Sequence, residues 1–95
     1  MKKLTCKNLQ NVKEITNQCK YDDEFPGGHN DWLLVSCCQD NGYNELYNKL
    51  KKYQMIYNVS DEKILKAMCE CCNKYEPNKR THEKFDKCIY KKLRG

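Results

Sequence analysis

No stretch of this chain approaches the ~20 consecutive apolar residues that a membrane span needs, which excludes stable membrane insertion and leads us to expect a soluble chain. The opening "MKKLTCKNLQ" has the basic start of a secretory signal, but no run of seven or more apolar residues follows it. It therefore reads as a mature chain with Met1 as an added start residue. There is no internal repeat and no low-complexity tract, and no segment alternates convincingly with period two, so sheets are not expected. Apolar material is scarce: mean hydropathy is −1.02 and 33% of residues are charged. A 95-residue chain of that composition has room for one domain, residues 1–95, and little from which to build a core.

Cysteine is what the chain has in excess. Eight in 95 residues is about the density of a short secreted disulfide scaffold. Cross-links compensate for a poor core by restricting the unfolded chain, each adding roughly 2–4 kcal/mol. An even count suits four bridges among Cys6, Cys19, Cys37, Cys38, Cys69, Cys71, Cys72 and Cys88, and oxidised cysteines point to a secreted protein.

Turn signals fall at "FPGGHND" (25–31), "DNGYN" (40–44) and "YEPNKRT" (75–81). Between them the apolar spacing is helical. Leu9, Val12, Ile15 and Cys19 share an arc with Cys6 at its edge, which predicts a helix over about 5–19. Asn30 or Asp31 is placed to cap a short helix from Trp32 through Val35 to the cysteine pair. Leu46, Leu50, Tyr53 and Tyr57 stripe a third helix. Ser60 is the predicted cap of a fourth, with Asp61 and Glu62 at its positive end and Ile64, Met68, Cys71, Cys72 and Tyr75 on the buried side. Pro77 stops it, and Thr81 caps a last helix whose inner stripe is Phe85, Cys88, Ile89 and Leu93. The expected fold is all-α: a small disulfide-rich domain of four to five short helices with four disulfides.

The clusters "SCC" (36–38) and "MCECC" (68–72) admit three chemistries. A structural zinc site wants two spaced pairs of ligands. Only Cys69 and Cys72 form a C-x-x-C, and neither His29 nor His82 has ligand spacing, so no metal is expected. Redox use of that pair would place it at a helix start, whereas it lies about nine residues in. In the disulfide reading the crowding is useful, because Cys69 and Cys71 face apart and one helix can be tied to two or three neighbours. Eight cysteines allow 105 connectivities. Our expectation is that Cys37 and Cys38 pair with members of Cys69, Cys71 and Cys72, leaving the remainder to Cys6, Cys19 and Cys88.

"CCQDNGYNELYNKL" resembles the active-site helix of secreted phospholipases, but the histidine that would activate water is missing and Gly42 stands where a cysteine is expected. "PGGHND" is no convincing calcium loop. His29 with Asp31 is a substitute base pair on paper, though both also fit the turn and cap. Without general base or metal loop, and with no Ser/His/Asp or phosphate-loop motif, the chain is not expected to be an enzyme or to need a cofactor. "NVS" (58–60) matches a glycosylation acceptor, yet a turn at Asn58 and a cap at Ser60 already account for it.

Charge is unevenly placed. Residues 1–73 carry ten basic and ten acidic side chains; residues 74–95 carry eight basic and three acidic, so the whole excess of +5 lies there. Such a patch suits an acidic partner, or simply a solvated helix face. Nucleic acid is not expected, since stacking aromatics are not interleaved with the lysines.

"VSCCQDNGYNELY" and "ILKAMCECCNKYE", with the helical pattern and the basic C-terminal end, resemble the larger multi-cysteine scoloptoxins of centipede venom. That resemblance implies a secreted venom neurotoxin acting on voltage-gated ion channels, with a potassium channel or its accessory subunit first and calcium or sodium channels next. It assigns no residues. On physical grounds a monomer would meet the extracellular face of such a channel through Lys84, Lys87, Lys91 and Arg94, at i, i+3, i+7 and i+10 of the last helix, extended by Lys79 and Arg80. Phe25 and Trp32 are an apolar anchor only if exposed, and a lone tryptophan belongs more naturally in the core. The rival class is a carrier of an apolar ligand, of the odorant-binding kind, although the C-x3-C spacing of that family is absent and the chain is short for a pocket. Complete reduction is expected to add about eight mass units to the intact protein; no gain, or a retained metal, would contradict the four-bridge scaffold.

Overall fold

The computed structural model describes residues 3–19, 34–38, 42–76 and 79–94. Within them are four helices: α1 (Lys13–Thr16), α2 (Gly42–Ile56), α3 (Asp61–Lys74) and α4 (His82–Leu93). The only strand-like pairing among the described residues is an isolated antiparallel bridge between Leu34 and Thr81. This is the expected small all-α, disulfide-rich fold.

The two capped helices start where the sequence says. Ser60 and Thr81 have extended backbones, and their side-chain oxygens accept from the amides of Lys63 (3.4 Å) and Lys84 (3.2 Å). Ile64, Met68, Cys71 and Cys72 on α3, and Phe85, Cys88 and Ile89 on α4, are buried; Leu65, Ala67 and Cys69 widen the inner face of α3 beyond the predicted stripe. Leu46, Leu50, Tyr53 and Tyr57 bury the stripe of α2 and its C-terminal turn, as expected. Pro77 lies outside the described residues.

The first predicted helix is corrected. Helix occupies only Lys13–Thr16, although Leu9, Val12, Ile15 and Cys19 are buried. The reason lies in competing partners for the backbone. The Asn73 side-chain amide donates to the Leu4 carbonyl (2.9 Å) and accepts from its N–H (2.8 Å), while Gln18 makes the same exchange with Thr5. These amides take up the Leu4 and Thr5 carbonyls, which a helix would have used for its first internal bonds, and satisfy the two N–H groups that a helix start would leave without a partner. Asn8, at φ 57°, then turns the chain in a left-handed conformation that asparagine tolerates. Asn11 and Glu14 exchange side-chain-to-backbone bonds in the manner of a capping box, so the helix begins after Asn11, with Glu14 in its first turn.

The short second helix is corrected over its described part. Residues 34–38 are non-helical: the Val35 N–H donates to the Arg80 carbonyl at 2.7 Å, beside the Leu34–Thr81 bridge. Asn30, Asp31 and Trp32 lie outside the described residues.

Four disulfides join these pieces: Cys6–Cys69, Cys19–Cys38, Cys37–Cys72 and Cys71–Cys88. Cys37 meets the α3 cluster as expected, but Cys38 does not. Cys38, in a bend beside Cys37, is bonded to Cys19 instead, and Cys69 and Cys71 are taken by Cys6 and Cys88. All but Cys6 are buried, so sulfur provides part of the core that the aliphatic residues cannot.

Of the three long helices, α2 alone has no cysteine, and its hold is non-covalent. Besides its apolar stripe, one polar cluster clasps it to α4. Asp86 accepts from Lys49 (2.8 Å), Lys52 (3.0 Å) and the Tyr53 hydroxyl. Burial raises the Asp86 pKa, but the hydrogen bonds from Lys49, Tyr53 and Lys52 outweigh it and leave the carboxyl below its ordinary value. Burial acts first on the partners too, pulling the Lys49 amine down and pushing the Tyr53 phenol up. The phenol thus stays a donor, and the close Lys49–Asp86 contact keeps that pair ionised. A carboxyl whose pKa is lowered by folding stabilises the fold above the ordinary value of 3.8 and loses that contribution as pH falls through the lower native value. Asp86→Asn is expected to cost about 1–3 kcal/mol in urea unfolding at neutral pH and to flatten the acid dependence below 3.8. An unchanged midpoint at neutral pH would contradict the clasp.

Candidate functional site

The basic residues chosen from sequence do not all share one fate. Lys84, Lys87 and Lys91 are exposed on α4, and Arg94, at its C-cap, is exposed as well. Their carrier is firmly held: Phe85 and Ile89 are fully buried and Cys88 is bonded to Cys71, so one face of α4 is fixed and the lysines project from another. Lys87 pairs with Glu83 at 3.2 Å, but both side chains are largely exposed and such a surface pair holds its partner weakly. Lys79 is exposed and pairs loosely with Glu76 at 3.8 Å. Arg94 lies 5.6 Å from the Tyr57 ring, a cation–π distance that turns its guanidinium toward the end of α2.

Arg80 is corrected. It is 1% exposed and cannot meet a partner. Its guanidinium donates to the carbonyls of Val35 (3.1 Å), Cys72 (3.0 Å) and Tyr75 (3.4 Å). Two of these carbonyls are at the C-terminal end of α3, where a helix favours positive charge. The third belongs to the segment that bridges back to Arg80 and Thr81. Arg80 is therefore an internal clamp, and the planar fork of guanidinium donors is what allows it to serve several acceptors at once.

The geometry adds members that the charge pattern of α4 did not reveal. An open groove of about 400 Å³ runs beside α4, lined by Lys84, Lys87 and Lys91 together with Lys74 and Tyr75 from the end of α3. Tyr90, 56% exposed, also borders it. Asp86 lies on the same groove with its oxygens engaged by α2. Lys74 was legible only as one of the basic residues of the tail; its place beside Lys84 depends on the antiparallel packing of α3 on α4.

No group of three or more His, Cys, Asp or Glu among the described residues is arranged to hold a metal ion. His29, Asp31 and Phe25 lie outside the described residues. His82 sits 3.6 Å from Glu45, between the start of α4 and α2. Asn58 is exposed on the α2–α3 turn, while Ser60 caps α3 as described. No helix among the described residues is long and apolar enough to cross a membrane. Comparison with protein-family models, with curated proteins and with solved structures finds no match to this chain.

Replacing Arg80 should change stability and not recognition. Arg80→Ala is expected to lower unfolding stability by about 2–4 kcal/mol, with Arg80→Lys recovering only part because an ammonium cannot reproduce the fork. Both variants, where folded, should elute from a sulfonate cation exchanger close to the wild type, since the charge removed is internal; Lys84→Ala should do the reverse, with unchanged stability and earlier elution. Early elution of folded Arg80→Ala would contradict the burial.

Proposed function

We propose that this protein is a secreted venom neurotoxin that binds the extracellular face of a voltage-gated ion channel, a potassium channel or its accessory subunit, through the basic face of α4. The observation that carries the reading is the placement of Lys84, Lys87 and Lys91 on the exposed side of a helix whose other side is locked by Phe85, Ile89 and the Cys71–Cys88 bond. A rigid display loses little freedom on binding, so more of the electrostatic attraction remains as affinity. Lysines on a fixed helix also steer encounter with an acidic surface, and that contribution falls with added salt.

The channel as target comes from the resemblance of the two cysteine clusters to scoloptoxins; the extracellular setting is supported by four disulfides, which persist where the surroundings are oxidising. Arg80 is left out of the recognition surface, and Lys74 joins it. The carrier reading has less support. A carrier wants an enclosed apolar cavity, whereas the groove beside α4 is open and lined with lysine.

The test is voltage clamp on a panel of channel families with the oxidised protein and its Lys84→Glu/Lys87→Glu variant. Wild-type protein should inhibit at least one channel, and the double reversal should weaken inhibition by about tenfold or more while the fold is retained. Inhibition that is unchanged by the reversal would remove the α4 face from the mechanism. No effect on any channel, together with an apolar ligand retained in native mass spectra, would favour the carrier.

A further inference from the structure

A second basic feature is invisible along the chain because its lysines come from three separate segments. Lys3 and Lys7 from the N-terminal segment, Lys66 and Lys74 from α3, and Lys92 from α4 line one cleft of about 600 Å³. Glu70 is its only acidic member among the described residues and already pairs with Lys92 at 3.4 Å. A neighbouring groove of about 300 Å³ shares Lys66, Glu70 and Lys92 and adds Lys63, so the two are continuous. Six lysines thus face one carboxylate among the described residues, and four of them, Lys3, Lys7, Lys63 and Lys66, come from residues 1–73, which carry no net charge.

The cleft is built, not merely charged. Its wall is the N-terminal segment, stitched to α3 by the Cys6–Cys69 disulfide and by the paired bonds between Asn73 and Leu4. Cys6 and Asn73 themselves line it. Holding several like charges around one concavity raises the free energy of the empty cleft and is relieved by an anion of matching extent.

We propose that this cleft binds a sulfated polysaccharide chain. Its charges are lysine ammonium groups, point charges suited to sulfate oxygens, without the guanidinium forks that favour bidentate carboxylate recognition. From Lys63 to Lys74 α3 advances eleven steps, about 16 Å at 1.5 Å per residue, long enough for more than one charged unit of a linear polymer. Among the described residues no aromatic ring lines either groove, so they offer single-stranded nucleic acid nothing to stack on. The large exposed apolar side chains among the described residues, Met55, Ile56, Tyr47 and Tyr90, lie outside both grooves, so none of them gives a lipid surface an apolar foothold there. The inference shares with the proposed function the extracellular setting and one residue, Lys74, which borders both grooves; its other lysines lie apart from the α4 face, and it does not require a channel.

Heparin, its desulfated form, polyglutamate and phosphatidylserine vesicles are the probes, titrated against the oxidised full chain at about 0.15 M salt. Heparin should bind, with affinity falling steeply as salt rises, and the desulfated polymer should not. Lys7→Glu/Lys66→Glu should weaken heparin by more than about tenfold, while Lys84→Glu/Lys87→Glu, an identical change in net charge, should weaken it by less than about threefold. Equal losses in the two variants would overturn the site, because binding would then follow net charge alone. Polyglutamate or vesicles binding as tightly as heparin would overturn the ligand class. If the reversals fail to fold, Lys7→Gln/Lys66→Gln, checked for four bridges by intact mass, should still lose affinity severalfold, and no loss would overturn the proposal. Channel inhibition measured on cells without surface sulfated polysaccharide should be indifferent to the cleft variants, which separates the failure of either reading from the failure of the other.

Discussion

Three cysteines within one turn of α3 tie it to three different parts of the chain. Cys69 reaches the N-terminal segment, Cys71 reaches α4, and Cys72 reaches the extended segment at residues 34–38. Helix geometry makes this workable, since successive side chains leave the axis about 100° apart and neighbouring positions face different neighbours. The fourth bond, Cys19–Cys38, closes the first segment onto the piece that Cys72 has already fixed. Everything else is arranged around that hub. Buried aliphatic side chains fill between the bonds, and the largely buried cysteines are themselves part of the filling.

Polar groups add to these bonds and replace them at α2, which no bond reaches. Asp86 clasps α2 to α4 through Lys49, Lys52 and Tyr53, and Arg80 joins the end of α3 to Val35 through backbone carbonyls. Both are charged residues used internally. This division explains why the outer lysines are available: structural tasks fall to a few buried or half-buried charges and to sulfur, and the remaining lysines of α3 and α4 project from a scaffold that does not need them. The proposed recognition by α4 and the lysine cleft beside α3 are two consequences of the same arrangement.

What was legible in the sequence was local. Ser60 and Thr81 announce their helices because a cap is a contact over three residues, and the stripes of α2, α3 and α4 follow from a period of 3.6. The N-terminal helix was misread for the opposite reason. Its apolar arc is real and buried, but the bonds that keep its first half extended come from Asn73, distant in sequence, and from Gln18. Arg80 sits beside Lys79 in a basic run, and nothing local distinguishes the buried member from the exposed one. The lysine cleft needs Lys3, Lys66 and Lys92 in one place, which only the tertiary packing supplies. Cysteine pairing failed at Cys38 because a predicted helix put it near α3, while the non-helical, bent backbone leaves it bonded to Cys19.

The central claim is that α3 is the point at which three different segments of the chain are fastened. Partial reduction of the folded protein, alkylation of the released thiols and mass spectrometry of the proteolytic fragments would test it most directly, since stepwise labelling separates the adjacent cysteines at 37–38 and 71–72. The account predicts Cys6–Cys69, Cys37–Cys72 and Cys71–Cys88 radiating from α3, with Cys19–Cys38 apart from it. A bond between two members of the 69–72 cluster, or one from Cys38 to that cluster, would contradict it.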